Sequence, residues 1–301
     1  MMDYIHTKPL SPGVEMNLQI LKEASVLSDQ DKPDLAAMDM FNRALTLNAS
    51  GNEAEALAEY NQLIARFGNS DHPAVQELVA WAMFFRALAM DASGNEPEAL
   101  AECGRLITRF GDSEHPAVQE QVVRAMFNRA VTVNESGNEA EALAEYNRLI
   151  THFGDSDHPA VQELVARAMY NRALAMAASG NEAEALAEYG RLIARFGDSD
   201  HPEVQEQVVW AMFNRAVAVN ASGNEAEALA EYSRMIARFG DSDQPLVQEP
   251  VARAMYNRAV TVNESGNEAE ALAEYSRLIA RFEGCNIPEM LEIVEEAKER
   301  L

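Results

Sequence analysis

Cysteine is scarce: Cys103 and Cys285 are the two in 301 residues, too few for the disulfide framework of a small secreted domain. Long apolar runs are missing as well. No stretch approaches the ~20 residues of a membrane span, and the opening MMDYIHTKPLSPG lacks the basic-then-apolar order of a secretory leader, so a cytoplasmic protein is expected. Basic residues number 24 against 49 acidic ones, for a formal charge of −25. A surface this acidic repels phosphate backbones and anionic headgroups, which argues against nucleic-acid and membrane partners. The sequence also contains no phosphate-binding Gly loop, no nucleophile elbow and no zinc-type Cys spacing. No catalytic residue, metal or cofactor is expected.

What the sequence has instead is repetition. His72-Pro73, His115-Pro116, His158-Pro159, His201-Pro202 and Gln244-Pro245 step by 43 residues, and Arg43, Arg86, Arg129, Arg172, Arg215 and Arg258 keep the same step. A period of this size marks an array of supersecondary units rather than independent globular domains. Six copies are expected over 31–283, preceded by a segment (1–30) with a capping helix built on Ile20, Ala24 and Leu27. A second capping helix is expected in 284–301, with Met290, Leu291 and Val294 inward.

Each copy reads as two helices. In the fourth, HPAVQELVARAMYNRALAMAASG starts with Pro at a position where the missing N–H is harmless and stops at Gly180, suited to a left-handed cap. Val161, Leu164, Ala168, Met169, Ala173 and Met176 form one apolar stripe between them. The second half, NEAEALAEYGRLIARFG, opens with Asn181 and Glu184 in capping-box spacing, buries Ala185, Leu186, Tyr189, Leu192, Ile193 and Phe196, and ends at Gly197. Glu residues of this half read as solvated faces. Pro250, inside the last long helix, is expected to kink or restart it, since its ring crowds the carbonyl of Leu246.

The columns Ala173, Gly180, Ala185 and Tyr189, repeated in every copy except for Cys103 in place of Tyr, resemble the tetratricopeptide repeat, lengthened from that family's 34 residues to 43. The resemblance implies an all-α, right-handed α-solenoid of six helical hairpins whose first helices line a concave groove. It also implies a function: a non-catalytic scaffold, monomeric, binding a protein or an extended peptide. A self-associating structural scaffold and a sensor module for a separate effector are the alternatives.

Candidate groove residues lie on the first helices. Asn42, Asn128, Asn171, Asn214 and Asn257 form an amide column broken by Phe85; one turn earlier runs Met38, Trp81, Arg124, Arg167, Trp210 and Arg253; beside the Asn lie aromatics such as Phe127 and Tyr170. An amide offers donor and acceptor together, so it can hold a peptide unit without reading its side chain, and inner-groove Asn residues of tetratricopeptide proteins do so. Asn residues bonding neighbouring repeats are the competing reading. Arg124, Arg167 and Arg253 with Asn128, Asn171 and Asn257 supply part of a carboxylate clamp, but the adjacent column, basic in such clamps, is aromatic here. The Arg43 column reads as structural, each Arg pairing with a nearby Glu.

Overall fold

The computed structural model describes residues 32–285 and 287–301, and the capping helix expected before residue 31 lies outside them. Thirteen helices, and no strand, occur among the described residues. They are α1 (Lys32–Ala49), α2 (Glu53–Phe67), α3 (Pro73–Ala92), α4 (Glu96–Phe110), α5 (Pro116–Glu135), α6 (Glu139–Phe153), α7 (Pro159–Ala178), α8 (Glu182–Phe196), α9 (Pro202–Ala221), α10 (Glu225–Phe239), α11 (Pro245–Glu264), α12 (Glu268–Phe282) and α13 (Pro288–Lys298). Odd and even members from α1 to α12 pair as six hairpins. No described helix is long and apolar enough to cross a membrane.

The chain divides into two compact units, ending at Val165 and beginning at Ala166. In the first unit α1 packs on α2 and α3, α3 on α4 and α5, and α5 on α6. In the second, α9 packs on α8, α10 and α11, and α11 on α10, α12 and α13. Within each unit hairpin therefore stacks on hairpin in solenoid fashion, every first helix touching its own second helix and the next first helix.

Local sequence sets the helix ends. Each long helix from α3 on begins with Pro, and the turn into its partner passes through a left-handed Gly, as at Gly180 with φ +78°. There the Asn181 N–H reaches back to the Met176 carbonyl (2.9 Å) and that of Gly180 to Ala177 (3.0 Å), closing the last turn of α7. The expected capping box is absent: none of Asn52, Asn95, Asn138, Asn181, Asn224 and Asn267 caps with its side chain, and each sits near φ −90°, ψ 60°. A residue already held by the incoming Gly turn is not in the extended conformation that such a cap requires. Asn224 instead donates from its side-chain amide to Glu227 (2.6 Å). No restart occurs at Pro250, since α11 is one helix from Pro245 to Glu264.

The second-helix Tyr register is as expected: Tyr60, Tyr146, Tyr189, Tyr232 and Tyr275 are all buried. In α13 the buried residues are Met290, Ile293, Val294 and Ala297, whereas Leu291 is exposed, so Ile293 takes the inward place expected of it. Cys103, in the Tyr column, is buried, and burial together with the neighbouring Glu102 charge pushes its thiol up to about 12. A buried thiol of that kind is inert while the chain is folded. Cys285 is partly exposed. Thiol-reactive dye is therefore expected to label one cysteine in the native protein, Cys285, and the second on adding denaturant; two labels at equal native rates would contradict the burial of Cys103.

Charge locks each hairpin. Arg43, Arg86, Arg129, Arg172, Arg215 and Arg258 on the first helices reach Glu59, Glu102, Glu145, Glu188, Glu231 and Glu274 on the second helices. The structural reading of the Arg column is thus correct. Five of these carboxylates, all but Glu59, are buried, and each also takes an Arg three residues on: Arg105, Arg148, Arg191, Arg234 or Arg277. The solvated reading fails for these five Glu. A buried carboxylate is tolerated only when paired, and here two guanidiniums bracket it.

The seam and open face of the first helices

The Asn column does not face open solvent throughout. Asn128 is 5% exposed and Asn171 4%; Asn42, Asn214 and Asn257 are partly exposed. Their direction is given by what they meet. Asn214 donates to the Tyr170 hydroxyl of the preceding hairpin (2.8 Å); its amide also lies beside the Tyr189 hydroxyl, and that of Asn257 beside Tyr232. Burial is the main reason the Tyr170 and Tyr189 hydroxyls are held well above the ordinary phenol range, with Asn214 pulling back on both; the Tyr232 hydroxyl is pushed up to about 12 in the same way. A neutral phenol in an apolar seam is stabilised by a partner, and at Tyr170 the Asn214 amide is that partner.

The break in the column has the same explanation. Phe85 stands where the other copies have Asn, and it stacks on Tyr60 (centroids 6.0 Å, planes 19° apart) and on Trp81 (5.3 Å, 19°), with Phe41 5.9 Å away. Ring stacking replaces the amide–hydroxyl bond between those two hairpins. Asn128 and Asn171, expected to line a groove, are buried instead.

The other groove candidates separate in the same manner. Trp81, Trp210, Phe127 and Tyr170 are buried, which corrects the expectation that they are open to a ligand. Large rings at a seam bury more apolar surface than they could in a groove. Arg124, Arg167 and Arg253 remain partly exposed. Arg124 bonds Glu120 one turn earlier (2.7 Å) and lies over the Trp81 ring at 5.8 Å; Arg253 bonds Glu249 (2.9 Å). A guanidinium already neutralised by a carboxylate on its own helix is a weak carboxylate clamp. The open face in the first unit is thus an Arg–Glu pair standing on buried indole; in the second unit it is Arg253 and Glu249 beside half-buried Tyr256 and Asn257. No group of three or more His, Cys, Asp and Glu side chains converges as metal ligands among the described residues.

What sequence reasoning missed was the buried Glu column, and one signal could have found it: an Arg always stands 16 residues ahead and, from Glu102 on, another three residues behind.

A stack of helical hairpins with a repeated seam and a variable face defines a repeat scaffold. The family profile described as Tetratricopeptide repeat matches residues 40–70 and 167–199, so the chain carries tetratricopeptide repeats in those segments. Among solved structures, the apo form of RapI is similar over 88% of this chain and 98% of its own, at 14% identity and a TM-score of 0.54. A Rap protein complexed with Competence and Sporulation Factor is similar over 98% of this chain and 83% of its own (14% identity, TM-score 0.47). A tetratricopeptide repeat protein from Parabacteroides merdae aligns over 88% of this chain and 99% of its own (15% identity, TM-score 0.41). No curated protein matches the sequence significantly.

Proposed function

We propose that the chain is a non-catalytic protein-interaction scaffold that takes an extended peptide or partner segment along the open face of its first helices. Repeats of this family serve as interaction modules, which supports the class of function. The observation that carries the reading is the column Met38, Trp81, Arg124, Arg167, Trp210, Arg253, where otherwise near-identical copies differ in chemistry. Trp81 and Trp210 are taken up by packing, so the variable chemistry this column leaves open is the charge of Arg124, Arg167 and Arg253. The candidate contacts narrow, in the first unit, to the partly exposed Arg124 and Asn42 and, in the second, to Arg167, Arg253, Asn214 and Asn257; Asn128, Asn171, Trp81, Trp210, Phe127 and Tyr170 are buried.

The test is selection of peptides from a random display library on the full chain, followed by fluorescence anisotropy on Arg124→Glu and Arg253→Glu. Each variant is expected to weaken a selected peptide about 10-fold, or roughly 1.4 kcal/mol. Each substitution also sets a carboxylate one turn from Glu120 or Glu249, so a modest fall in the unfolding midpoint is expected, and binding is compared at a temperature where both variants are folded. Peptides indifferent to both variants would remove the site. An empty selection, together with light scattering that shows mass rising with concentration, would favour the self-associating scaffold.

A further inference from the structure

A second surface, on the second helices with Arg129 added from α5 and independent of the open face just described, carries unusual charge for so acidic a chain. Between α4 and α6 lies a hollow of about 450 Å³ lined by Gly104, Arg105, Arg109, Arg129 and Arg148. Its volume falls within the range of small-ligand sites. The carboxylates that answer these guanidiniums are already shared. Glu102 holds both Arg86 and Arg105, Glu145 holds both Arg129 (3.2 Å) and Arg148 (3.4 Å), and Glu141 stands 3.9 Å from Arg129. Positive charge is in excess.

Arg109 tips the balance. Its counterparts Arg238 and Arg281 pair with loop aspartates of the preceding copy, Asp198 (3.6 Å) and Asp243 (3.0 Å). The corresponding loop before Arg109 reads Gly68-Asn69-Ser70-Asp71, where neutral Asn69 takes the place of Asp198 and Asp71 keeps that of Asp243. Arg109 makes no ion pair with any described residue; it lies over the Phe110 ring at 5.0 Å and borders a second hollow whose lining includes Asn69, Ser70, Asp71 and Asp112, neither carboxylate within ion-pair distance of it. The Arg129 Nε, in addition, is buried with no hydrogen-bond partner among the described residues.

Gly104 keeps the hollow open. It lies inside α4, where Gly costs about 1 kcal/mol relative to Ala, and the same column holds Asn61 and Asn147 in neighbouring copies. A Cβ placed on it would sit 3.6 Å from an Arg129 Nη, so any longer side chain fills the space beside that guanidinium.

We propose that this hollow binds a small phosphate-bearing anion, with Arg105, Arg109, Arg129 and Arg148 as its ligands. Guanidinium forks match the geometry of phosphate oxygens. A long polyanion is disfavoured by the surrounding charge of −25, and a hollow of this size suits one or two phosphoryl groups.

The experiment is isothermal titration of the full chain with sodium pyrophosphate and, separately, with AMP, at low and physiological salt. The variants are Gly104→Asn, Arg109→Gln and, as a charge-matched control remote in sequence, Lys298→Gln. Gly104→Asn introduces a residue that two other copies carry at this place, so an unchanged or raised unfolding midpoint is expected of it. Pyrophosphate is expected to bind in the sub-millimolar range and to weaken at least 10-fold in Gly104→Asn and in Arg109→Gln, but not in Lys298→Gln. Tighter AMP with the same variant pattern also supports the site and assigns the phosphate to an organic carrier. No heat with either probe at about 5 mM, well above that range, would overturn the proposal, as would equal weakening by Lys298→Gln or full binding by Gly104→Asn.

Discussion

Glu188→Ala is expected to destabilise the second unit by about 3–5 kcal/mol, the cost of breaking a buried ion pair from one side. Glu188 is fully buried and holds Arg172 and Arg191. Those two guanidiniums differ in what they lose. The Arg191 side chain is 66% exposed and returns to water when the carboxylate goes, whereas that of Arg172 is 10% exposed and cannot. The penalty therefore sits on Arg172, and Arg191→Ala is expected to cost no more than ~1 kcal/mol. Urea unfolding followed by circular dichroism measures both, with the exposed Glu184→Ala as a surface reference within about 0.5 kcal/mol of the parent. Replacing the pair together, Arg172→Met with Glu188→Leu, is expected to recover most of the loss, because neither charge is then stranded. A Glu188→Ala protein as stable as Glu184→Ala would show that the bracketed carboxylate contributes nothing.

Tyr189→Ala is expected to cost a similar ~3–5 kcal/mol for a different reason, the cavity left by a large ring. Tyr189 is 3% exposed, lies 6.2 Å from the Tyr170 ring and shares Asn214 with the Tyr170 hydroxyl. Tyr189→Phe keeps the ring and removes only the hydroxyl, so no more than about 1 kcal/mol is expected. In a repeat array each hairpin is stabilised chiefly by its neighbours. The loss is therefore expected to lower protection from hydrogen exchange in α9 as well as in α8. Loss confined to α8, or a Tyr189→Ala cost below about 1 kcal/mol, would mean that the ring does not hold the seam.

Much of the fold was legible because its punctuation repeats. Pro73, Pro116 and their counterparts start the long helices, Gly180 and its counterparts turn them, and the Tyr60 column marks the packed side of the short ones. Sidedness of the long helices was not legible. A first helix touches its own second helix and the first helices on either side, so it is apolar around much of its circumference, and periodicity cannot say which neighbour covers which column. For that reason Trp81, Phe127, Asn128 and Asn171 looked available and are not. Glu188 failed in the opposite direction. In NEAEALAEY every Glu looks alike, and only the distance to an Arg on the other helix separates the buried one from the solvated ones.

Near-identical copies on one chain carry a hazard during synthesis and folding, when a hairpin can dock in a neighbour's slot or exchange with a second chain. The contacts between hairpins work against this by differing from one another. Asn214 finds a phenol at Tyr170 where the equivalent residues in the first three copies are Phe41, Phe84 and Phe127, and Phe85 finds a stack of rings where other copies present an amide. A hairpin in the wrong slot would bury a hydroxyl without a partner or set an amide against a ring face. Each mismatch disfavours that docking by roughly 1–3 kcal/mol, so the small departures from perfect repetition act as addresses that tell one hairpin from the next.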